Sequence, residues 1–323
     1  MLLVCAFAFV VIYLSNQYLT QRYTETTRNR SEVRLTLYVA NLMSELQRNS
    51  IVPQLLARDP QLISALDNKN YSLTTARLLS FVDEIGAASL MLFDAQGRTV
   101  AATDRNRIGE QHGSAPYFVN AQRSNATIFS TAQMQSGGFS FIYSRRVEVS
   151  GATVGVLAVE VDLQKLERGW AGVSDAVFVS DSSGTIIIST EPKWRGLNEA
   201  EALKIQSAPS AIDRALQATQ DWAALPVDAY LKGEAVLRRE ARVPFQGWKM
   251  VSYTTYSSVR ERVNGVLALE VMGFAILLAL MFWLWSRKAA SRIVLFQRES
   301  AELRALNIRL QREVAERQKV EKT

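Results

Sequence analysis

The sequence predicts an α+β fold in which antiparallel sheets and packed helices lie between two transmembrane helices. Three observations support this prediction. Residues 266–285 are apolar except for Glu270. A D-x-x-G turn between two apolar strands occurs twice, 87 residues apart. Residues 28–58 carry apolar side chains at helical spacing. The composition, with 48% hydrophobic and 21% charged residues, excludes a disordered chain.

Composition and charge exclude several other classes. A single cysteine, Cys5, excludes a disulfide framework and a cysteine-rich metal site. A single histidine, His112, and the lack of an HExxH motif argue against a zinc enzyme, and no metal ligand set is expected. The net charge of +6 is concentrated in residues 286–323, which carry ten basic and five acidic side chains. A basic tail beside a membrane span has a simpler explanation than nucleic-acid binding, and no nucleic-acid partner is expected.

The apolar run at 266–285 predicts the second transmembrane helix. Twenty residues at about 1.5 Å each cover about 30 Å, the thickness of the hydrocarbon core of a bilayer. Arg287, Lys288 and Arg292 follow the run and place the tail in the cytoplasm by the positive-inside rule.

The N-terminal apolar run, residues 2–14, is shorter than a full span. We expect either that the sequence starts inside a first transmembrane helix or that Tyr18 and Leu19 extend a short anchor helix. Residues of about 20–262 then face the periplasm of a bacterium, and the protein is a two-pass protein of the inner membrane.

A long helix is predicted after the first span. Residues 28–58 show the spacing of one buried stripe, which ends at Asp59-Pro60, and a further helix is predicted at 72–85. The predicted stripe consists of Val33, Leu37, Ala40, Met43 or Ser44, and Leu46 or Gln47.

The repeated unit spans residues 89–109 and 176–196. In such a turn the Asp side chain caps its own backbone and the Gly supplies the positive φ that closes a hairpin. Two copies predict two related modules in tandem. The aligned pairs are Asp94 and Asp181, Gly97 and Gly184, Thr103 and Thr190, and Gly109 and Gly196.

Further elements are predicted around each hairpin. In the first module they are a helix at 116–123 and strands at 126–129, 139–147 and 153–162. Residues 163–170 form the joining helix. In the second module they are a helix at 199–219 and strands at 235–243 and 249–253. The predicted domains are transmembrane helix 1 (1–19), the long helix with a membrane-distal module (20–162), a membrane-proximal module (163–262), transmembrane helix 2 (263–286) and a cytoplasmic coiled-coil linker (287–323).

Several strings of this sequence resemble a known family. APYFVNA, FIYSRRV, GVLAVEVDL and VFVSDSSGTIIISTEPKWR are similar to the C4-dicarboxylate-sensing histidine kinases of the Dct type, whose sensor region has tandem PDC (Cache-like, dCache) modules. The tail LNIRLQREVAERQKVEKT resembles the linker before their dimerisation helix. The resemblance implies a sensor for succinate, fumarate or malate. It also implies a homodimer, a response regulator as partner and, in addition, a dicarboxylate transporter as partner.

The kinase core of that family is not in this sequence. Residues 286–323 contain neither the phosphoacceptor His nor a Gly-rich ATP-binding box, so ATP and Mg belong to a kinase domain outside the chain. We expect the input part of a protein-histidine kinase, without catalytic residues of its own. The input region of a chemoreceptor or diguanylate cyclase that senses another small carboxylate or an amino acid is the alternative. A periplasmic enzyme is disfavoured, because no set of nucleophile, base and orienting group is recognisable.

The basic tail also carries an imperfect heptad pattern, which predicts a parallel dimeric coiled coil, with a solvated juxtamembrane helix as the alternative. The a positions are Ile293, Ser300, Asn307 and Val314, and the d positions are Phe296, Leu303, Leu310 and Arg317.

The resemblance places the ligand in the membrane-distal module. A carboxylate needs a guanidinium fork and hydroxyl donors. Alternate residues of a strand share a face, so Tyr143 and Arg145 point together, while Ser140 and Arg146 point the other way. Arg145 is the favoured carboxylate clamp and Arg146 the alternative, because the sequence does not decide which face lines the pocket.

Residues near the predicted short helix complete the candidate set. Tyr117 matches a pocket-lining position of the family and is proposed as a hydroxyl donor, with core packing as the alternative. Tyr143 is a further candidate contact, Ser114 and Ser140 are weaker donor candidates, and His112 is close enough to contribute. Asp162 is expected to cap the helix at 163–170 rather than bind an ammonium group. The second module is expected to be structural.

Overall fold

A computed structural model of the chain describes residues 2–133, 138–171, 176–205, 229–231 and 234–320. The chain divides into two compact units. One unit comprises the two ends of the chain, up to Gln21 and from Arg260 onward, and the other comprises Arg22–Val259. The second unit contains both sheets and is described first.

The described helices and antiparallel strands form an α+β arrangement, and short 3-10 turns lie at Arg105–Arg107 and Pro192–Trp194. The helices are α1 (Leu2–Leu56), α2 (Pro60–Asp67), α3 (Thr74–Ile85), α4 (Pro116–Gln122), α5 (Leu163–Trp170), α6 (Glu199–Ile205) and α7 (Ser257–Val320). The strands are β1 (Ser89–Asp94), β2 (Thr99–Ala102), β3 (Ile128–Gln133), β4 (Phe139–Val149), β5 (Ala152–Glu160), β6 (Ala176–Ser180), β7 (Ile186–Ser189), β8 (Ala229–Leu231), β9 (Glu234–Arg242) and β10 (Lys249–Thr255). The part of the predicted helix at 199–219 that follows Ile205 lies outside the described residues.

Two antiparallel sheets have the same strand order. The first module has the order β2-β1-β5-β4-β3, and the second module has β7-β6-β10-β9-β8. The register repeats as well, since Ser89 lies opposite Glu160 and Ala176 lies opposite Tyr253. The predicted α+β fold with two related modules in tandem is confirmed.

The repeated turn forms as its sequence requires. The Asp94 carboxylate accepts from the backbone N–H of Gln96 at 3.0 Å, and Asp181 accepts from that of Ser183 at 2.9 Å. Gly97 has φ +82°, and a Cβ there would lie 2.5 Å from the Cα of Gly113. Glycine is therefore required at this turn, both for its backbone conformation and for the close approach of the following loop.

The buried stripe of α1 differs from the predicted one. Val33 and Leu37 are 61% and 62% exposed, whereas Leu35 and Leu42 are 3% and 0% exposed. The prediction was wrong because α1 carries two apolar stripes at helical spacing, and only tertiary packing decides which one is covered. Of the predicted stripe, Leu46 is buried and Met43 is partly buried.

The covered stripe of α1 belongs to a core that includes both modules. Tyr38 of α1 packs 6.0 Å from Trp170 of α5, measured between ring centroids. The same core contains buried residues of both sheets and of the turn before β10. These residues are Phe141, Tyr143 and Val161 from the first module and Val177, Val179, Ile187, Ile188, Val243, Trp248 and Met250 from the second.

The other unit contains the start of α1 and most of α7. Val4–Leu56 and Ser258–Lys288 are helices long and apolar enough to cross a membrane, judged by length and composition. The Ser15 hydroxyl donates to the Glu270 carboxylate at 2.6 Å, so the one charge of the second apolar run has a polar partner. α7 continues to Val320 through the predicted heptads. The pairing of two such helices stays a prediction.

Leu42→Ala should lower the free energy of unfolding by about 2–5 kcal/mol, because Leu42 is fully buried in the shared core. Thr36→Ala is the control on the same helix, because Thr36 is exposed, and it should change the free energy of unfolding by less than about 0.5 kcal/mol. Urea unfolding followed by tryptophan fluorescence measures both. Equal losses from the two variants would contradict the observed orientation of α1.

Candidate functional site

The face of the first sheet that packs against α4, here called the α4 face, holds the candidate site. Its apolar floor contains Met91, Phe93 and Val156, against which Tyr117 and Phe118 of α4 pack. On β4, Ser140, Ile142, Ser144 and Arg146 lie on this face because alternate residues share a side. Phe141 and Tyr143 belong instead to the core that includes α1, and Arg145 shares their side of the strand.

α4 is fixed to the sheet by hydrogen bonds around Tyr117. Ala115 is the extended residue before the helix, and Pro116 starts it with its fixed φ. The Ser144 hydroxyl donates to the backbone carbonyl of Tyr117 at 2.6 Å. The Tyr117 hydroxyl and His112 Nδ1 are 2.7 Å apart, and burial raises the pKa of Tyr117. Tyr117 is thus anchored by an internal partner.

A cleft of about 430 Å³ opens at the end of the α4 face that is nearer to the second module. Its polar walls come from both modules. Ser89, Arg107, Ser140 and Glu160 belong to the first, while Glu167 of α5 and Arg195 belong to the second. The volume lies in the range of small-molecule sites, about 300–1,000 Å³.

Glu160 is the centre of the hydrogen bonds on the first wall. Its carboxylate accepts from the Ser89 hydroxyl at 2.7 Å, from Arg107 Nη1 at 3.1 Å and from the Ser140 hydroxyl. Arg107, in the 3-10 turn after β2, also lies 3.6 Å from Glu110. One guanidinium and two hydroxyls therefore already converge on a carboxylate.

The second wall has a similar pair. Glu167 is 8% exposed, and its Oε1 accepts from Arg195 Nε at 3.0 Å and from the backbone N–H of Ser189 at 3.2 Å. Burial raises the pKa of Glu167 more than Ser189 and Arg195 lower it. Each wall of the cleft thus presents one arginine whose partner is a protein carboxylate.

The structure separates the candidate residues that the sequence predicts. It brings Tyr117, Ser140 and Arg146 to the α4 face, where Arg146 pairs with Glu148 at 2.5 Å. Tyr143 and Arg145 lie on the opposite side of β4, and burial raises the pKa of Tyr143. Ser114 is exposed in the turn before α4.

Asp162 accepts from the backbone N–H of Lys165 at 3.0 Å, so the predicted cap of α5 is confirmed. Sequence reasoning missed Ser89, Arg107 and Glu160. A usable signal was present, because Glu160 follows Val156 and Ala158 at strand spacing and so brings a charge to the α4 face.

The second module has a polar cluster on the corresponding face of its sheet. Glu199, the first residue of α6, accepts from Arg238 Nε at 2.6 Å and from the Tyr253 hydroxyl at 2.7 Å. The hydrogen bonds from Arg238 hold the pKa of the Glu199 carboxyl below its usual value.

A wider depression of about 680 Å³ lies beside the first hairpin turn, and its polar lining includes Asp67, Lys69, Asp94 and Arg98. It is lined by none of the residues that the sequence predicts as ligand contacts. Within the part of the chain that the structure describes, no group of three or more His, Cys, Asp or Glu side chains could hold a metal ion.

Comparison with known proteins identifies a family model and curated proteins to which this chain is similar. Residues 28–168 match the dCache_3 family, described as a double sensory domain of two-component sensor kinases. The C4-dicarboxylate transport sensor protein DctB of Pseudomonas aeruginosa is 26% identical over 331 aligned residues, which cover 95% of this chain and 53% of that protein. DctB of Rhizobium meliloti is 23% identical over an aligned region that covers 91% of this chain and 49% of that protein. The chain therefore spans about half the length of these relatives.

A solved structure supports the fold. The crystal structure of the Vibrio cholerae histidine kinase DctB sensor domain matches with a TM-score of 0.54 and 19% identity, over 72% of this chain and 98% of that one. Together with the two candidate spans, these relatives suggest an inner-membrane protein. The resemblance found in the sequence is therefore confirmed: residues 28–168 match the dCache_3 model, and most of the chain is similar to the DctB sensor proteins.

Proposed function

We propose that this chain is the periplasmic sensor and transmembrane part of a two-component sensor histidine kinase that detects C4-dicarboxylates. The observation that carries the proposal is the cleft between the two modules, in which Arg107 and Arg195 face one ligand-sized space. Guanidinium groups are the preferred partners of carboxylates, and a dicarboxylate has one carboxylate for each of the two arginines. The names of the DctB relatives favour the same ligand class.

Binding in this cleft is an exchange of partners. Arg107 and Arg195 now pair with Glu160 and Glu167, so each carboxylate of the ligand has to take over a guanidinium from a protein carboxylate. The hydroxyls of Ser89 and Ser140 supply further donors on the first wall. Tyr117 and Arg146 line the same α4 face farther from the second module and are proposed as secondary contacts.

The exchange couples the ligand to the relative position of the modules. A ligand shifts a conformational equilibrium only through its different affinities for the two states. A dicarboxylate that bridges Arg107 and Arg195 favours the state in which the two walls are closest. β10 of the second module leads directly into α7, which provides a covalent route for the change. A coupling of about 1–3 kcal/mol is typical for such a signal.

The remaining assignments follow from this sensor role. We propose a two-pass protein of the inner membrane with residues of about 20–262 in the periplasm and the tail in the cytoplasm. ATP and Mg would bind in a kinase core that lies outside this sequence. A response regulator would be the phosphorylation partner of that core, and a dicarboxylate transporter is a further candidate partner.

One observation favours a second ligand class. Glu160 places a carboxylate beside Arg107 in the cleft, and a cation next to an anion is a suitable arrangement for an amino acid. The chain would then be the input region of a chemoreceptor or diguanylate cyclase, or of a kinase, that senses a zwitterion. Amino acids therefore belong in the same titration series.

We predict that succinate, fumarate or malate binds the full chain in nanodiscs, measured by calorimetry. Arg107→Gln should weaken binding at least about tenfold, because a charged hydrogen bond contributes about 1.5–3 kcal/mol. Arg145→Gln is the matched control on the opposite side of β4 and should leave the affinity unchanged. The cleft assignment is wrong if Arg145→Gln abolishes binding while Arg107→Gln preserves it. The absence of heat with all three acids would remove the dicarboxylate proposal.

We also propose that the chain is a homodimer that pairs along the exposed stripe of α1. Val33, Leu37, Ala40 and Ser44 recur at alternating steps of four and three residues, which is the spacing of a coiled-coil seam, and Ile51 continues it after seven. The apolar members of this stripe are exposed within one chain, so a second copy of α1 has a surface to cover.

In a Cys5→Ser background, Leu37→Cys should form an intermolecular disulfide under mild oxidation in the membrane, because seam residues of two parallel helices face each other. Thr36→Cys is the control, since Thr36 is exposed but rotated by about 100° from Leu37. Non-reducing gel electrophoresis separates the products. Equal crosslinking at both positions would contradict a specific α1 seam.

A further inference from the structure

The second module contains a carboxylate clamp that is filled by its own side chain. The Arg238 fork donates from Nε to Glu199 Oε1 at 2.6 Å and from Nη2 to Oε2 at 2.8 Å. The Tyr253 hydroxyl adds a third donor to Oε1 at 2.7 Å. A bidentate guanidinium with a hydroxyl is the donor set that proteins use for a ligand carboxylate.

The repeat places this clamp at a ligand-site position. Tyr253 lies opposite Ala176 as Glu160 lies opposite Ser89, so Tyr253 is the counterpart of Glu160 in the cleft. Arg238 lies opposite Tyr253 as Ile142 lies opposite Glu160. The clamp therefore occupies the part of the second sheet that corresponds to the α4 face of the first.

Glu199, whose carboxylate fills the clamp, also has a counterpart in the first module. An isolated bridge joins Arg98 to Gln111 in the first module and Thr185 to Asn198 in the second. The next residue is His112 in one module and Glu199 in the other. His112 contacts the Tyr117 hydroxyl at the α4 face, whereas Glu199 extends a carboxylate into the clamp.

The surroundings resemble those of a small-molecule pocket. Phe178, Trp194 and Tyr253 pack with ring centroids 6.0–6.2 Å apart and form an apolar wall. The side chains of Glu199 and Arg238 are 32% and 31% exposed, so the carboxylate is reachable from solvent. The Tyr253 side chain is buried, and burial raises its pKa, which keeps the hydroxyl protonated as a donor.

We propose that the second module has its own site for a small carboxylate, which Glu199 closes as a tethered ligand. A tether gives its group an effective concentration on the order of millimolar. Free carboxylates at micromolar concentrations therefore leave the clamp closed, and removal of the Glu199 carboxylate opens it. The proposal depends only on the second module and is independent of the ligand proposed for the cleft.

Propionate is a suitable probe, with propionamide as its neutral match, and the full chain in nanodiscs is the sample. Glu199→Ala should gain propionate binding, which raises the midpoint of its thermal unfolding. Propionamide should leave this midpoint unchanged. Glu240→Ala is the matched control, because Glu240 also accepts from Arg238 Nη2 at 2.8 Å but lies outside the clamp. That variant and the unmodified chain should respond equally, and their common response reports any binding in the cleft.

The added substitution Arg238→Gln should weaken the gained binding at least about tenfold. A lack of propionate response in Glu199→Ala would overturn the proposal, as would a response that propionamide reproduces or that Arg238→Gln leaves unchanged. Should Glu199→Ala fold poorly, recovery of folded protein in propionate but not in propionamide supports the site. No recovery with either compound overturns it.

Discussion

The packing of α1 against both modules is the constraint on which the arrangement depends. Leu35, Tyr38 and Leu42 enter one core with residues of both sheets, so the modules share apolar surface through a single helix. Burial of such side chains contributes about 1.5–3 kcal/mol each, whereas the cleft contributes mainly paired charges. A core shared in this way keeps the two walls of the cleft facing each other.

The cleft lies beside that apolar core, but its polar lining consists of ion pairs that can change partners. Its two arginines are satisfied by protein carboxylates, and the side chains of Arg107 and Arg195 are 25% and 26% exposed, so a ligand can approach them from solvent. The apolar core stays intact during such an exchange because it contains none of these groups. In the proposed binding mode, the apolar contacts hold the modules together and the ion pairs rearrange with the ligand.

Local signals in the sequence predict the hairpins and caps well. The turn at Asp94 and Gly97 and the cap at Asp162 depend on residues within four positions of each other, so their sequence determines them. The covered face of α1 depends on distant partners instead. The same holds for β4, where alternation separates Arg145 from Arg146 but does not say which of them faces α4. Glu160 was missed because its role comes from Ser89 and Arg107, which are far from it in the chain.

The repeat shows how one backbone frame can support two different arrangements of charged groups. The positions held by Glu160 and His112 in the first module hold Tyr253 and Glu199 in the second, while the strand registers around them agree. In the first module the carboxylate belongs to the sheet and the loop provides the cation, Arg107. In the second module the sheet provides the cation, Arg238, and the residue after the bridge provides the carboxylate. Because the charges are reversed between sheet and loop, each module is electrostatically complete without a ligand. In the two proposed sites, a ligand carboxylate would therefore compete with a different protein group, one on the sheet in the first module and one at the start of α6 in the second.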